Sequence, residues 1–96
     1  MMIVLTYDVD FTQPNGAKRL RKVAKLCEQY GVRVQNSVFE IMMDSSQLAS
    51  FKSNLLEIID KKKDSVRFYR LGNNWENKID ILGIEKGFQQ DQPIIL

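Results

Sequence analysis

Asp8 is the first residue of this sequence with the chemistry of a site. It closes the run Met2-Ile3-Val4-Leu5-Thr6-Tyr7-Asp8, where an apolar, β-branched strand emerges. The chain has no histidine and one cysteine, Cys27. That removes the Ser-His-Asp and Cys-His nucleophile systems, a Cys-rich zinc site and an internal disulfide. Any chemistry therefore falls to carboxylates, lysines, arginines, tyrosines or a hard, oxygen-bound metal. A single Asp holds a catalytic metal poorly. Two Asp8 side chains related by a two-fold axis, with backbone carbonyls and water, would suit Mg²⁺. Such an ion lowers the pKa of a bound water and stabilises charge on a phosphoryl oxygen. Asp at a strand end also commonly caps a turn, and by spacing alone that is the plainer reading.

A second resource is positive charge. The chain carries a formal net charge of +2, unevenly spread. Residues 14–33 hold Lys18, Arg19, Arg21, Lys22, Lys25 and Arg33 against Glu28 alone. A phosphate backbone is a natural partner for such a field. The run also reads as a solvated helix face, and charge alone leaves both open. Lys61-Lys62-Lys63 reads first as cations at a helix C-terminus, where they favour the dipole, before it reads as a nucleic-acid contact.

Elements must position these groups. Met2 to Asp8 reads as a central strand, buried on both faces. Thr12 to Gly16 is a loop. Ala17, Leu20, Val23, Ala24, Cys27 and Tyr30 recur at helical spacing, so Ala17 to Tyr30 reads as a helix with Gly31 as C-cap. Lys18, Arg21, Lys22 and Lys25 then share its outer side, with Arg19 at the edge of the apolar stripe. Val32–Gln35 and Val38–Met43 read as paired strands around Asn36-Ser37. Asp44 and Gln47 form a helix-start pair, opening a helix that runs to about Lys61 with Leu48, Phe51, Leu55, Ile58 and Ile59 inward. Ser65–Leu71 and Lys78–Leu82 read as further strands, and Pro93–Leu96 as an apolar, strand-like tail.

The order β-α-β-β-α-β predicts an α+β, ferredoxin-like domain with additional C-terminal strands. At 96 residues the chain is one domain, 1–96, too short for a deep private cleft. One sheet face would stay bare and Ile94-Ile95-Leu96 would meet solvent. A homodimer resolves both, with the extension at 78–96 packing on the partner subunit. No run is long enough to span a membrane and no signal-peptide layout is present, so a cytoplasmic protein without a membrane partner is expected.

Longer stretches carry a resemblance. Tyr7-Asp8-Val9, Gly16-Ala17-Lys18-Arg19-Leu20-Arg21-Lys22-Val23, Tyr30 to Glu40 and Asp64 to Leu71 together resemble the small CRISPR-associated endonuclease family, the smaller of the two core spacer-acquisition proteins. The resemblance covers about residues 1–72, and Val34-Gln35-Asn36-Ser37-Val38-Phe39-Glu40 is its most specific part. It implies a homodimer of ferredoxin-like subunits. Asp8 would hold Mg²⁺ or another divalent cation with its symmetry mate and act as the catalytic carboxylate. It implies metal-dependent cleavage of single-stranded RNA or double-stranded DNA. It also implies a place beside a CRISPR-associated integrase in spacer acquisition for antiviral defence. Lys18, Arg19, Arg21, Lys22 and Arg33 would contact nucleic acid; Tyr7, Ser37 and Phe39 would be accessory. The loop from Asp10 to Asn15 departs from many relatives in carrying no basic residue.

Two functions of different class follow. One is a metal-dependent endonuclease. The other is a non-catalytic dimeric scaffold that binds duplex DNA and bridges integrase dimers. A toxin-type ribonuclease on the same fold is a further alternative. An RNA-recognition module fits less well, because Val38–Met43 lacks the closely spaced ring pair that stacks bases.

Overall fold

The computed structural model describes residues 1–87. The tail Pro93–Leu96 lies outside the described residues. β1 (Met2–Asp8), α1 (Pro14–Cys27), β2 (Gly31–Gln35), β3 (Val38–Met42), α2 (Ser45–Ile58) and β4 (Ser65–Gly72) follow in order, with a 3-10 turn at Trp75–Lys78. The four strands form one sheet in the order β2-β3-β1-β4, every pairing antiparallel. This is the expected ferredoxin-like arrangement.

β1 is central, paired with β3 and β4, but it is not buried on both faces as expected: Val4 and Thr6 are half-buried and Asp8 is exposed on the face away from the helices. Ile3, Leu5 and Tyr7 point to the helices, and register sets Ile3 against Ile41 and Leu5 against Phe39. Leu20, Val23, Ala24 and Cys27 come down from α1, and Leu48, Phe51 and Leu55 from α2. Phe51 is fully buried between Tyr30 and Phe68, edge-to-face to both, with ring centroids at 5.6 and 6.3 Å. Burying a ring of that size contributes roughly 2–3 kcal/mol through lost apolar exposure alone. α2 begins where expected: Asp44 accepts from the Gln47 amide at 2.7 Å while the Gln47 side chain accepts from the Asp44 amide at 3.0 Å. Two otherwise orphaned donors are satisfied.

Five expectations about elements are corrected. α1 starts at Pro14, because Pro is well placed at a first helical position, its missing N–H being unneeded there. It ends at Cys27, not Tyr30, and Glu28 is its C-cap. Gly31 is no cap: it opens β2, where any Cβ would collide with the Glu40 carbonyl across the ladder. α2 ends at Ile58 with Ile59 as C-cap, so Lys61-Lys62-Lys63 lies in the turn beyond the helix. Lys78–Leu82 is not a strand, since Lys78 closes the 3-10 turn and 79–82 joins no ladder.

Nor is the second sheet face wholly bare. Residues 79–87 run over it, enclosing with Val4, Val34, Val38 and Glu40 a cleft of about 700 Å³. Gly87 rests so tightly on the Glu40 carboxylate that a side chain there would collide with it. Ile81, Leu82 and Ile84 of this strap remain exposed.

Candidate active site

Asp8 is the last residue of β1, exposed, and by alternation on the face away from the helices. Its partner in the ladder is Ser65, the first residue of β4. No cluster of three His, Cys, Asp or Glu side chains suited to a metal exists among the described residues. The exposed Asp8 carboxylate has the hard oxygen chemistry that Mg²⁺ takes, but among the described residues it belongs to no group of three such ligands.

Tyr7 points the opposite way, into the protein, at 2% exposure. Its hydroxyl donates to Asp64 Oδ2 at 2.5 Å. Arg19, from α1, donates through Nε to Asp64 Oδ2 at 2.8 Å and through Nη2 to Oδ1 at 3.0 Å, the two-pronged geometry of a strong charge-assisted pair. The Asp60 amide donates to the same Oδ2 at 3.0 Å, and the Asp64 amide returns a bond to the Asp60 carbonyl at 2.7 Å. The Asp64 side chain is completely enclosed. Burial by itself would raise its carboxyl pKa; hydrogen bonds from Arg19, Tyr7 and the Asp60 backbone outweigh that and hold it below the ordinary carboxylate range. The Tyr7 hydroxyl is driven up by burial, then by its bond to Asp64. Arg19 is driven up chiefly by its bond to Asp64.

Ser37 joins this end through its backbone, its carbonyl accepting from the Tyr7 amide at 2.9 Å. Tyr7, Asp8, Arg19 and Ser37 therefore converge at one end of the sheet. Arg33 and Phe39 sit one step away. Phe39 is fully buried opposite Leu5, with the Arg33 guanidinium 5.7 Å from its ring centre. Arg33 also donates from Nε to the Asn36 carbonyl at 2.8 Å, bracing the turn between β2 and β3. Lys18, Arg21 and Lys22 share the solvent side of α1 with Lys25, all exposed. Arg19 is turned inward, away from them.

Asp64 is the residue that sequence reasoning missed. It follows three lysines, and its type and position there look like a turn aspartate. Only Arg19, a cation standing at the edge of an apolar stripe, signalled that a buried anion was needed. Beside the Arg19–Asp64 pair opens a cavity of about 520 Å³, lined by these two with Asp10, Asn15, Asp60 and Lys63 among others.

The sequence pattern of the family described as CRISPR associated protein Cas2 matches residues 1–79. A CRISPR-associated endonuclease Cas2 from Halalkalibacterium halodurans is 50% identical over 95 residues, covering 99% of each chain. A CRISPR-associated endoribonuclease Cas2 from Nitratidesulfovibrio vulgaris is 47% identical over 96 residues, covering all of this chain and 94% of its own. The crystal structure of Streptococcus pyogenes Cas2 superposes with a TM-score of 0.82 at 53% identity, over 86% of this chain and 100% of that one.

Proposed function

The chain belongs to the CRISPR-associated Cas2 family, and from that premise we propose that it is a phosphodiester endonuclease of a CRISPR system, acting as a homodimer in the cytoplasm. The observation that carries the reading is the opposed placement of neighbours: Tyr7 is buried and bonded, while Asp8 is exposed at the strand end. One anchored residue thus presents a carboxylate whose backbone is fixed. Exposed Tyr69, Ile81, Leu82 and Ile84 on or over the same sheet face support a second copy as its cover. Two copies would bring two Asp8 carboxylates to one ion, preferably Mg²⁺. That ion would supply charge stabilisation at the scissile phosphate and activation of water.

The chain's own part is otherwise positional. Asp8 binds and orients. The exposed Lys18, Arg21, Lys22 and Lys25 hold the nucleic-acid backbone. Arg19 and Arg33 are already engaged with Asp64 and Asn36, which leaves their free donors as the contacts they can make. Purified wild type is expected to cleave RNA or DNA only with Mg²⁺. Asp8→Ala should lose that cleavage to background while eluting as the same dimer in gel filtration. Full cleavage by Asp8→Ala would overturn the reading.

The basic face of α1 favours a second, compatible role: a duplex-binding scaffold that holds a CRISPR-associated integrase during spacer acquisition. In that role Asp8→Ala leaves integration intact, and reversing charge at Lys18, Arg21 or Lys22 abolishes it.

A further inference from the structure

The Tyr7–Asp64–Arg19 triad lies at the same end of the sheet as Asp8, and the proposed activity draws on Tyr7 as an anchor and on a free donor of Arg19 but gives Asp64 no task. Its geometry points to a task. Asp64 is the residue immediately before Ser65, and Ser65 is the rung opposite Asp8. Tyr7 is the residue immediately before Asp8. The Asp64 carboxylate therefore grips the neighbour of Asp8 on one strand, while its own backbone leads directly into the partner of Asp8 on the other. Arg19 adds a third strut from α1. The Asp60 amide and carbonyl close the turn from behind. Among the described residues no buried side-chain polar atom lacks a partner, so this network is complete as it stands.

We propose that Asp64 is the positioning residue of the active site: a buried carboxylate that fixes the Asp8–Ser65 rung by joining β1, α1 and the start of β4 through Tyr7 and Arg19. It touches neither substrate nor metal. It acts by holding the Asp8 backbone still, so that the carboxylate is presented in one orientation. The proposal rests on the endonuclease reading, in which Asp8 is the residue that needs orienting. Misplacing a reacting group by about 1 Å costs about a hundredfold in rate.

Asp64→Asn keeps the side-chain shape but removes the charge that holds Arg19. Tyr7→Phe removes only one hydroxyl and leaves the Arg19 pair intact, so it serves if Asp64→Asn does not fold. The control is Val23→Ala in the α1 core, which is fully buried and remote in role. Each variant is assayed with Mg²⁺ on labelled single-stranded RNA and duplex DNA, well below its melting temperature. Asp64→Asn is expected to lower kcat by about 10- to 100-fold with KM changed by less than about twofold, and Tyr7→Phe to lower kcat by a smaller factor. Val23→Ala should melt earlier yet keep kcat.

Amide hydrogen exchange provides a readout free of catalysis. Exchange at Asp8 and Ser65 should quicken by about tenfold or more in Asp64→Asn and Tyr7→Phe, and not in Val23→Ala. A kcat loss no greater than that of Val23→Ala overturns the proposal. So does a rise in KM with kcat unchanged, which would make the triad part of substrate binding. If wild type shows no Mg²⁺-dependent cleavage, or Asp8→Ala cleaves as well as wild type, the endonuclease reading falls, and exchange at Asp8 and Ser65 then decides the positioning role alone.

Discussion

Neutralising two cations of α1 should halve the salt dependence of nucleic-acid binding. Lys18, Arg21, Lys22 and Lys25 are exposed together on one side of that helix. At 1.5 Å of rise per residue they span about 10 Å, a length that a few phosphates of a duplex can match. If each neutralises one phosphate, the slope of log K against log salt is about −3.6 per engaged protomer, and raising salt from about 50 to 200 mM weakens binding about 150-fold. In Lys18→Ala/Lys22→Ala the slope falls to about −1.8 and the same change costs only about 12-fold. If both protomers of a dimer engage, each slope doubles and the ratio stays at two. Fluorescence anisotropy with a labelled 30-base-pair duplex across a salt series measures it. Lys61→Ala/Lys62→Ala is the control, removing equal charge from the exposed turn after α2. The reasoning is refuted if the slope of the α1 variant matches wild type. It is equally refuted if the control lowers the slope as much, because net charge rather than the α1 face would then govern binding.

The triad also makes stability depend on pH at both extremes. The folded Asp64 carboxyl lies below its ordinary value of 3.8, so its stabilisation is present above that pH and is lost as pH falls through the folded value. The folded Tyr7 hydroxyl lies above its ordinary 10.0, so its stabilisation is present below that pH and is lost as pH climbs toward the folded value. Urea midpoints of wild type and Asp64→Asn should therefore converge below about pH 4. Cys27 is fully buried, and burial pushes its thiol up to about 12. A thiol reagent at pH 8 should accordingly leave it unmodified until urea unfolds the chain, and rapid labelling of the folded protein would contradict that burial.

Much of the fold was legible because hydrophobic period and turn chemistry agreed. The unbroken run from Met2 to Tyr7 marked a central strand, and it pairs on both sides. Asp44 and Gln47 announced α2, and both bonds of their capping box form. The failures have physical causes. Gly31 follows an amphipathic helix and so looked like its cap, whereas its requirement comes from the close passage of Glu40 in β3. Ile79, Ile81 and Leu82 looked like a strand by composition, but the segment joins no ladder and leaves Ile81 and Leu82 exposed, so apolar content alone did not fix it as a strand. Asp8 was legible because it ends an apolar run. Asp64 was not, because a turn aspartate with an exposed side chain and one with an enclosed side chain look alike until Tyr7 and Arg19, from distant parts of the chain, close around it.

The triad is better explained by position than by stability. A buried ion pair gains little net free energy, because removing two charges from water costs about as much as their attraction returns; apolar replacements of similar volume are often as stable or more so. A short chain with a small core would be expected to fill such a place with leucine or phenylalanine. The rest of the buried stripe is apolar, through Leu20, Val23, Ala24 and Cys27. Only at the first turns of α1, beside the end of β1, does the stripe give way to a guanidinium meeting a carboxylate and a phenol. Apolar packing tolerates small sliding of strand ends, since it has no preferred direction. A carboxylate bonded to Arg19, Tyr7 and the Asp60 amide at 2.5–3.0 Å does not. Directional bonds therefore stand where directional precision is useful, one residue from Asp8 on β1 and one residue from its partner Ser65 on β4.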